Sequence, residues 1–208
     1  LLAMAFHRLT KLQDPEVLEL MSETTTRMAR GELLQLIRSY KTANEGDYFE
    51  IIINKTACLF ATAIKTGALL AGASGKSADL MYDYGMAIGI SFQIVDDALD
   101  YSDEKKTGKP VGGDLQERKI TLPLNHLMEQ ANVRDRKRLD SILSQSIIEK
   151  PQIEEVTCLM KRYGSIDYTL AHSREYAAKA RQYIENFPDT ELRQSLAGIA
   201  DYIVSRQD

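Results

Sequence analysis

Apolar residues recur at intervals of three and four along nearly the whole of this chain and almost nowhere alternate one for one with polar residues. An interval near 3.6 lets a helix bury one face, whereas a half-buried strand needs an interval of two, so the chain is expected to be all-α. Local signals divide it. Asp14 as a cap with Pro15 behind it predicts a helix running to about Tyr40, where TANEGD interrupts the pattern. Asp47, with Glu50 three residues on, predicts a capping box that opens the next helix, which fades at AGASGKS. Ser77 is expected to open a third helix, in which Gly85 and Gly89 share a face and leave room for a neighbouring backbone. A long loop over residues 102–120 follows, and loops of that length are usually functional or disordered. Shorter helices are expected over Thr121 to Gln130, Asp135 to Ile148 and Pro151 to Tyr163, then longer ones over Ser165 to Asn186 and Asp189 to Arg206. With 208 residues and 44% hydrophobic content, residues 1–208 are expected to form a single all-α domain.

Charge narrows the functional classes. Thirty acidic against 26 basic residues give a net charge of −4, which argues against broad nucleic-acid binding while leaving room for a small anion held by a few local cations. The most apolar segment, ACLFATAIKTGALLAGA, contains Lys65 and is shorter than the ~20 residues a spanning helix needs, so no transmembrane segment is expected. Cys58 and Cys158 lie far apart in apolar surroundings, which predicts buried free thiols and a cytoplasmic setting. The opening LLAMAF reads as the middle of a helix, so an N-terminal portion is expected to be missing from these residues.

The third helix ends in FQIVDDALD, where Asp96 and Asp100 share a face and Asp97 lies about 100° round. Three carboxylates within one turn, near the negative end of a helix, cost free energy unless cations arrive. One reading is a solvated helix end. The other is a Mg²⁺–diphosphate site, since Mg²⁺ takes oxygen ligands and commonly bridges carboxylate to phosphate. The preceding GISFQIV places the acids beside a core, and the loop beyond brings Lys109 and Lys119 around Gly108, Gly112 and Gly113, whose bare backbone can approach an anion. Upstream, Lys55 falls on a face with Ile51, Ile52 and Leu59, so it either runs to solvent or projects into a cavity as a diphosphate partner. Thr56 and Gln93 offer neutral dipoles to developing positive charge, or serve simply as satisfied helix polar groups. His7, His126 and His172 show no useful mutual spacing and receive no role.

Taken together, GELLQL at 31–36, YFEIIINKTACLF at 48–60, FQIVDDALD at 92–100 and TGKPVGGDLQERKITLP at 107–123 resemble the C-terminal two-thirds of a trans-prenyltransferase, the polyprenyl diphosphate synthase family. The wording is closest to the bacterial medium- and long-chain type. The resemblance implies an antiparallel helix bundle around a central cavity, of isoprenoid synthase type, usually a homodimer. It implies head-to-tail condensation of an allylic diphosphate with isopentenyl diphosphate, releasing pyrophosphate, to give a product that can associate with membranes. By match to the family's second aspartate-rich motif, Asp96, Asp97 and Asp100 would bind Mg²⁺. Lys55, Lys109 and Lys119 match lysines that contact the allylic diphosphate, Thr56 and Gln93 match polar residues beside the allylic carbon, and Asp114 matches a supporting aspartate.

The chain also departs from that pattern. DDxxD occurs once, without the upstream partner motif, so these residues alone are expected to be inactive. A non-catalytic regulatory subunit of similar fold is an alternative. A terpene cyclase fits less well, because its metal motif would place Ser or Thr four residues after Asp96 and Glu four further, where this chain has Asp100 and Glu104.

Overall fold

The computed structural model describes residues 2–38, 44–102 and 111–206. Among them every regular element is helical. The order is α1 (Leu2–Lys11), α2 (Pro15–Ile37), α3 (Glu45–Ile52), a π-helical turn (Ile53–Ala57), α4 (Cys58–Leu70) and α5 (Gly75–Leu99). After these come α6 (Gly113–Gln116), α7 (Leu122–Gln130), α8 (Val133–Leu143), α9 (Lys150–Arg162), α10 (Ser165–Ile184) and α11 (Glu191–Ser205).

The helix starts follow capping chemistry. Asp14 accepts from the Val17 amide and Pro15 occupies the first turn, as expected. The helix stops at Ile37, with Arg38 already extended, and Tyr40 lies outside the described residues. Three other starts fall one turn or less upstream of the positions read from sequence. Asn44, not Asp47, caps α3, and Asp47 returns a bond to the Asn44 amide in a reciprocal box. Ser74 caps α5 by accepting from the Ser77 amide, and Asn132 caps α8 by accepting from the Asp135 amide. Helix α8 also ends at Leu143 rather than Ile148, which instead turns into the core. The helix read as continuous from Asp47 widens into a π turn over Ile53–Ala57, a distortion often found at functional sites.

Helix α5 runs through the centre, packing on α4 and α10, with α11 and the π turn also against it. The approach of α4 is explained by the glycines. A Cβ at Gly85 would lie 2.7 Å from Ala61 Cα, and one at Gly89 would lie 2.6 Å from Ala57 Cα. Because the partner number falls as the α5 number rises, the two helices are antiparallel. Helix α2 runs antiparallel to α4 by the same logic, with Gly31 against Lys55 and the Thr24 hydroxyl 2.5 Å from that of Thr62. Three apolar clusters fill the interior: one among α7, α8 and α9, one where α10 and α11 cover α5, and one joining α3, α5 and Ile120–Leu122. Cys58 is buried, but Cys158 is exposed, because α9 turns Ile153, Val156, Leu159 and Met160 inward and leaves Cys158 outside that stripe.

The glycines make a paired prediction. Gly89→Ala must push two helix backbones apart and should cost about 1–3 kcal/mol. Gly67→Ala adds a Cβ with nothing within 4 Å in α4 and should stabilise by about 0.5–1 kcal/mol through the unfolded chain. Urea denaturation of both variants reads the two signs.

Candidate active site

The C-terminal half of α5, the π turn, α2 and the segment after α6 enclose a cavity of about 240 Å³. Its lining includes Lys55, Thr56, Gln93, Asp96, Asp97, Asp114 and Lys119, all of them residues singled out from sequence. Lys109 lies outside the described residues. Asp100 does not line the cavity.

The polar groups are held in chains. The Thr56 hydroxyl donates to Gln93 Oε1 at 2.9 Å, and Gln93 Nε2 donates to Asp97 Oδ1 at 2.8 Å, so the Gln93 amide is fixed at both ends. Lys55 does not run free to solvent. Its Nζ lies 2.6 Å from Gln35 Oε1 and 2.7 Å from Glu32 Oε2, both on α2. The π turn carries Lys55 and Thr56, and Gly31 lets α2 close on it: a Cβ there would lie 2.5 Å from the Lys55 amide nitrogen. On the opposite wall Lys119 Nζ bonds Asp114 Oδ1 at 2.8 Å and Glu117 Oε2 at 2.7 Å. Burial disfavours the Lys119 charge, but these bonds outweigh it and lift its pKa above the usual range. Arg118, at φ 58, makes the left-handed turn that delivers Lys119 to this wall.

Asp100 has a different occupation. The Gly113 amide donates to its Oδ1 at 3.1 Å and the Asp114 amide to its Oδ2 at 2.9 Å. The glycine turn does receive an anion, as its bare backbone suggested, but the anion is this carboxylate. Gly112 makes the turn at φ +81 with Ile153 pressed against it. Among the described residues no three carboxylates, imidazoles or thiols close on a common metal point. Asp96 and Asp97 face the cavity, while Asp100 fastens the turn that presents Asp114.

Among the described residues the acidic groups of the cavity outnumber its cations. Burial, reinforced by the Asp114 carboxylate and only partly opposed by the Gln93 hydrogen bond, pushes Asp97 up to about 8. Burial and Asp114 also push Asp100 to about 6, against the two amide bonds. The Tyr48 hydroxyl is wholly buried, makes no hydrogen bond of good geometry among the described residues, and has its pKa raised by burial and by the nearby Asp97 charge. A hard divalent cation against Asp96 and Asp97 would relieve this crowding, so the donor set fits Mg²⁺ chemistry. Glu32, Gln35 and Tyr48 were not singled out as site residues. Gln35 and Glu32 were visible only as letters of GELLQL, where spacing places Gln35 one turn after Gly31 but cannot say which helix they face.

A family model described as polyprenyl synthetase matches residues 1–160. This chain belongs to the polyprenyl synthetase family. An octaprenyl diphosphate synthase of Haemophilus influenzae is 35% identical over 204 residues, covering 97% of this chain and 62% of that protein. A short chain isoprenyl diphosphate synthase of Methanothermobacter thermautotrophicus is 35% identical over 194 residues, covering 92% of this chain and 59% of that protein. The chain thus spans about three-fifths of the length of these curated relatives. A polyprenyl synthase from Caulobacter crescentus, solved with calcium and isoprenyl diphosphate, superposes with a TM-score of 0.94 at 33% identity, covering 99% of this chain and 63% of that one. The all-α isoprenoid synthase fold expected for a polyprenyl synthetase is present. Among the described residues no helix is long and apolar enough to cross a membrane.

Proposed function

We propose that this cavity binds the diphosphate of an allylic substrate through Mg²⁺ and serves the head-to-tail condensation of that substrate with isopentenyl diphosphate. The observation that carries the reading is one cavity walled by Asp96, Asp97 and Asp114 and by Lys55 and Lys119. Mg²⁺ supplies charge neutralisation of the departing pyrophosphate when bound. It would be held by Asp96 and Asp97, and by Asp100 once that carboxylate leaves its two amides. Lys55 and Lys119, with Lys109, grip diphosphate oxygens as charge develops on them. Thr56 and Gln93 turn fixed dipoles toward the allylic carbon, and Asp114 keeps Lys119 in place. The apolar wall from Ile52 and Ile120 excludes water that would trap the carbocation. The allylic C–O bond breaks to release pyrophosphate, the new C–C bond draws its electrons from the double bond of isopentenyl diphosphate, and the released pyrophosphate takes the proton lost as the product double bond forms, so no protein nucleophile is required.

The 208 residues contain one DDxxD, and by themselves they are proposed to bind an allylic diphosphate without elongating it. The protein is proposed to act in the cytoplasm, in keeping with the exposed thiol of Cys158, and as a homodimer. Leu33, Leu36 and Ile37 form an exposed apolar row on α2 that suits a second copy. Calorimetric titration with a non-hydrolysable allylic thiodiphosphate tests the central reading. Binding should require Mg²⁺, and Lys55→Gln should weaken it by about tenfold or more, as expected for losing a charge-assisted contact. Failure to bind with Mg²⁺ present would sink the proposal.

A further inference from the structure

We infer that Arg206 is the resident counter-cation of Asp96, a positioning residue that holds this carboxylate until a divalent cation takes it. The inference rests on the metal–diphosphate reading above. Arg206 caps the C-terminus of α11, and its Nη2 lies 4.0 Å from Asp96 Oδ1. Its guanidinium carbon lies 4.9 Å from the centre of the Phe92 ring. Phe92 precedes Asp96 by one helical turn on α5, so a single planar cation reaches both the aromatic ring and the carboxylate. Its Nη1 is buried and, among the described residues, has no hydrogen-bond partner, an arrangement that native proteins seldom tolerate. Among the described residues, then, the guanidinium is short of acceptors beside a carboxylate that is short of cations.

Asp96 needs such a partner. It stands near the negative end of α5 with Asp97 and Asp100 close in sequence, and the cavity lysines are already engaged: Lys55 by Glu32, and Lys119 by Asp114 and Glu117. Among the described residues, Arg206 is the one cation within ion-pair distance of Asp96. The pair is loose and partly exposed, with side-chain exposures of 28% for Arg206 and 45% for Asp96. A contact of that kind restrains a carboxylate without locking it. Asp96 would exchange this single guanidinium charge for the two charges of a bound Mg²⁺.

The test is Mg²⁺ titration of the chain without diphosphate, for wild type, Arg206→Gln and Arg206→Lys. Removing a competitor should tighten Mg²⁺ binding in Arg206→Gln by about two- to fivefold, with Arg206→Lys between. A purely structural arginine would give the opposite sign or no change. If wild type binds Mg²⁺ and Arg206→Gln binds it equally or less tightly, the inference alone is overturned. If neither protein takes up Mg²⁺, the metal reading falls with it. A metal-free thermal cycle with Asp96→Asn and Arg206→Gln supplies the second readout: the pair should couple, and strictly additive effects overturn the inference. Should Arg206→Gln fail to fold, Arg206→Lys carries the titration, and affinity equal to wild type overturns the inference.

Discussion

Asp97→Asn is expected to weaken Mg²⁺-dependent diphosphate binding severely while raising the melting temperature of the metal-free protein. Both effects come from one cause. Asp97 is 5% exposed and shares its surroundings with Asp96 and Asp114, so ionising it without a cation is costly, and its pKa stands at about 8. The sign follows from which state binds the proton. Between the ordinary aspartate value of 3.8 and about 8, the folded chain keeps the proton that the unfolded chain has released, so stability falls as pH rises through that window. At neutral pH the penalty is on the order of a few kcal/mol. Asparagine preserves the shape and an oxygen to accept from Gln93, and it carries no charge to desolvate. Thermal melts in EDTA from pH 5 to pH 8 should therefore show a downward slope for the wild type that is much reduced in the variant. With Mg²⁺ and the thiodiphosphate the order reverses: the wild type gains stability by linkage and the variant does not. Affinity should drop by about a hundredfold or more, since the ligand then meets a buried site lacking one of its two facing charges. A variant that binds like the wild type would show that Asp97 is structural.

Much of this architecture was legible in the sequence, and the misplacements share a physical origin. The interval of three and four marked the helices because burial of one face is a property of the residues themselves. The starts of α3, α5 and α8 were read at Asp47, Ser77 and Asp135, yet those residues lend their amide hydrogens to the true caps Asn44, Ser74 and Asn132. In each case a cap-like residue stands both at the cap and three residues on, with a reciprocal box only in α3, and local spacing cannot say which of the two is the first. The cavity residues were legible for a related reason: Asp96, Asp97 and Lys55 are charges placed against apolar runs, an arrangement that is costly without a purpose, and Lys119 stands beside glycines whose bare backbone can approach an anion. Asp100 could be placed on its helix but not aimed, because its partners, the amides of Gly113 and Asp114, are brought to it by tertiary folding. Glu32, Gln35 and Arg206 were missed for the same reason. Each acts on a residue more than fifteen positions away, across a helix interface that no local pattern encodes.

Gly31→Val is expected to damage fold and site together. The Cβ of any residue at position 31 would lie 2.5 Å from the Lys55 nitrogen and 2.9 Å from both Asn54 C and Lys55 Cα. These are backbone atoms of the π turn, so no side-chain rotation relieves the overlap. Either α2 retreats or the π turn rewinds. Alanine alone should cost about 1–3 kcal/mol, and valine more. For a chain of this size each kcal/mol lowers the melting temperature by roughly 2–4 °C. The functional loss follows from position. Glu32 and Gln35, which hold Lys55, lie within one turn of Gly31, so moving α2 displaces the anchors of that ammonium as well. Diphosphate affinity should fall further than in Lys55→Gln, because Thr56 shares the distorted turn and orients Gln93 toward Asp97. Melting curves and calorimetric titration on the same preparation separate the two losses. A Gly31→Val chain that melts and binds like the wild type would mean that α2 does not seat on the π turn, and that Lys55 is held by something other than this approach.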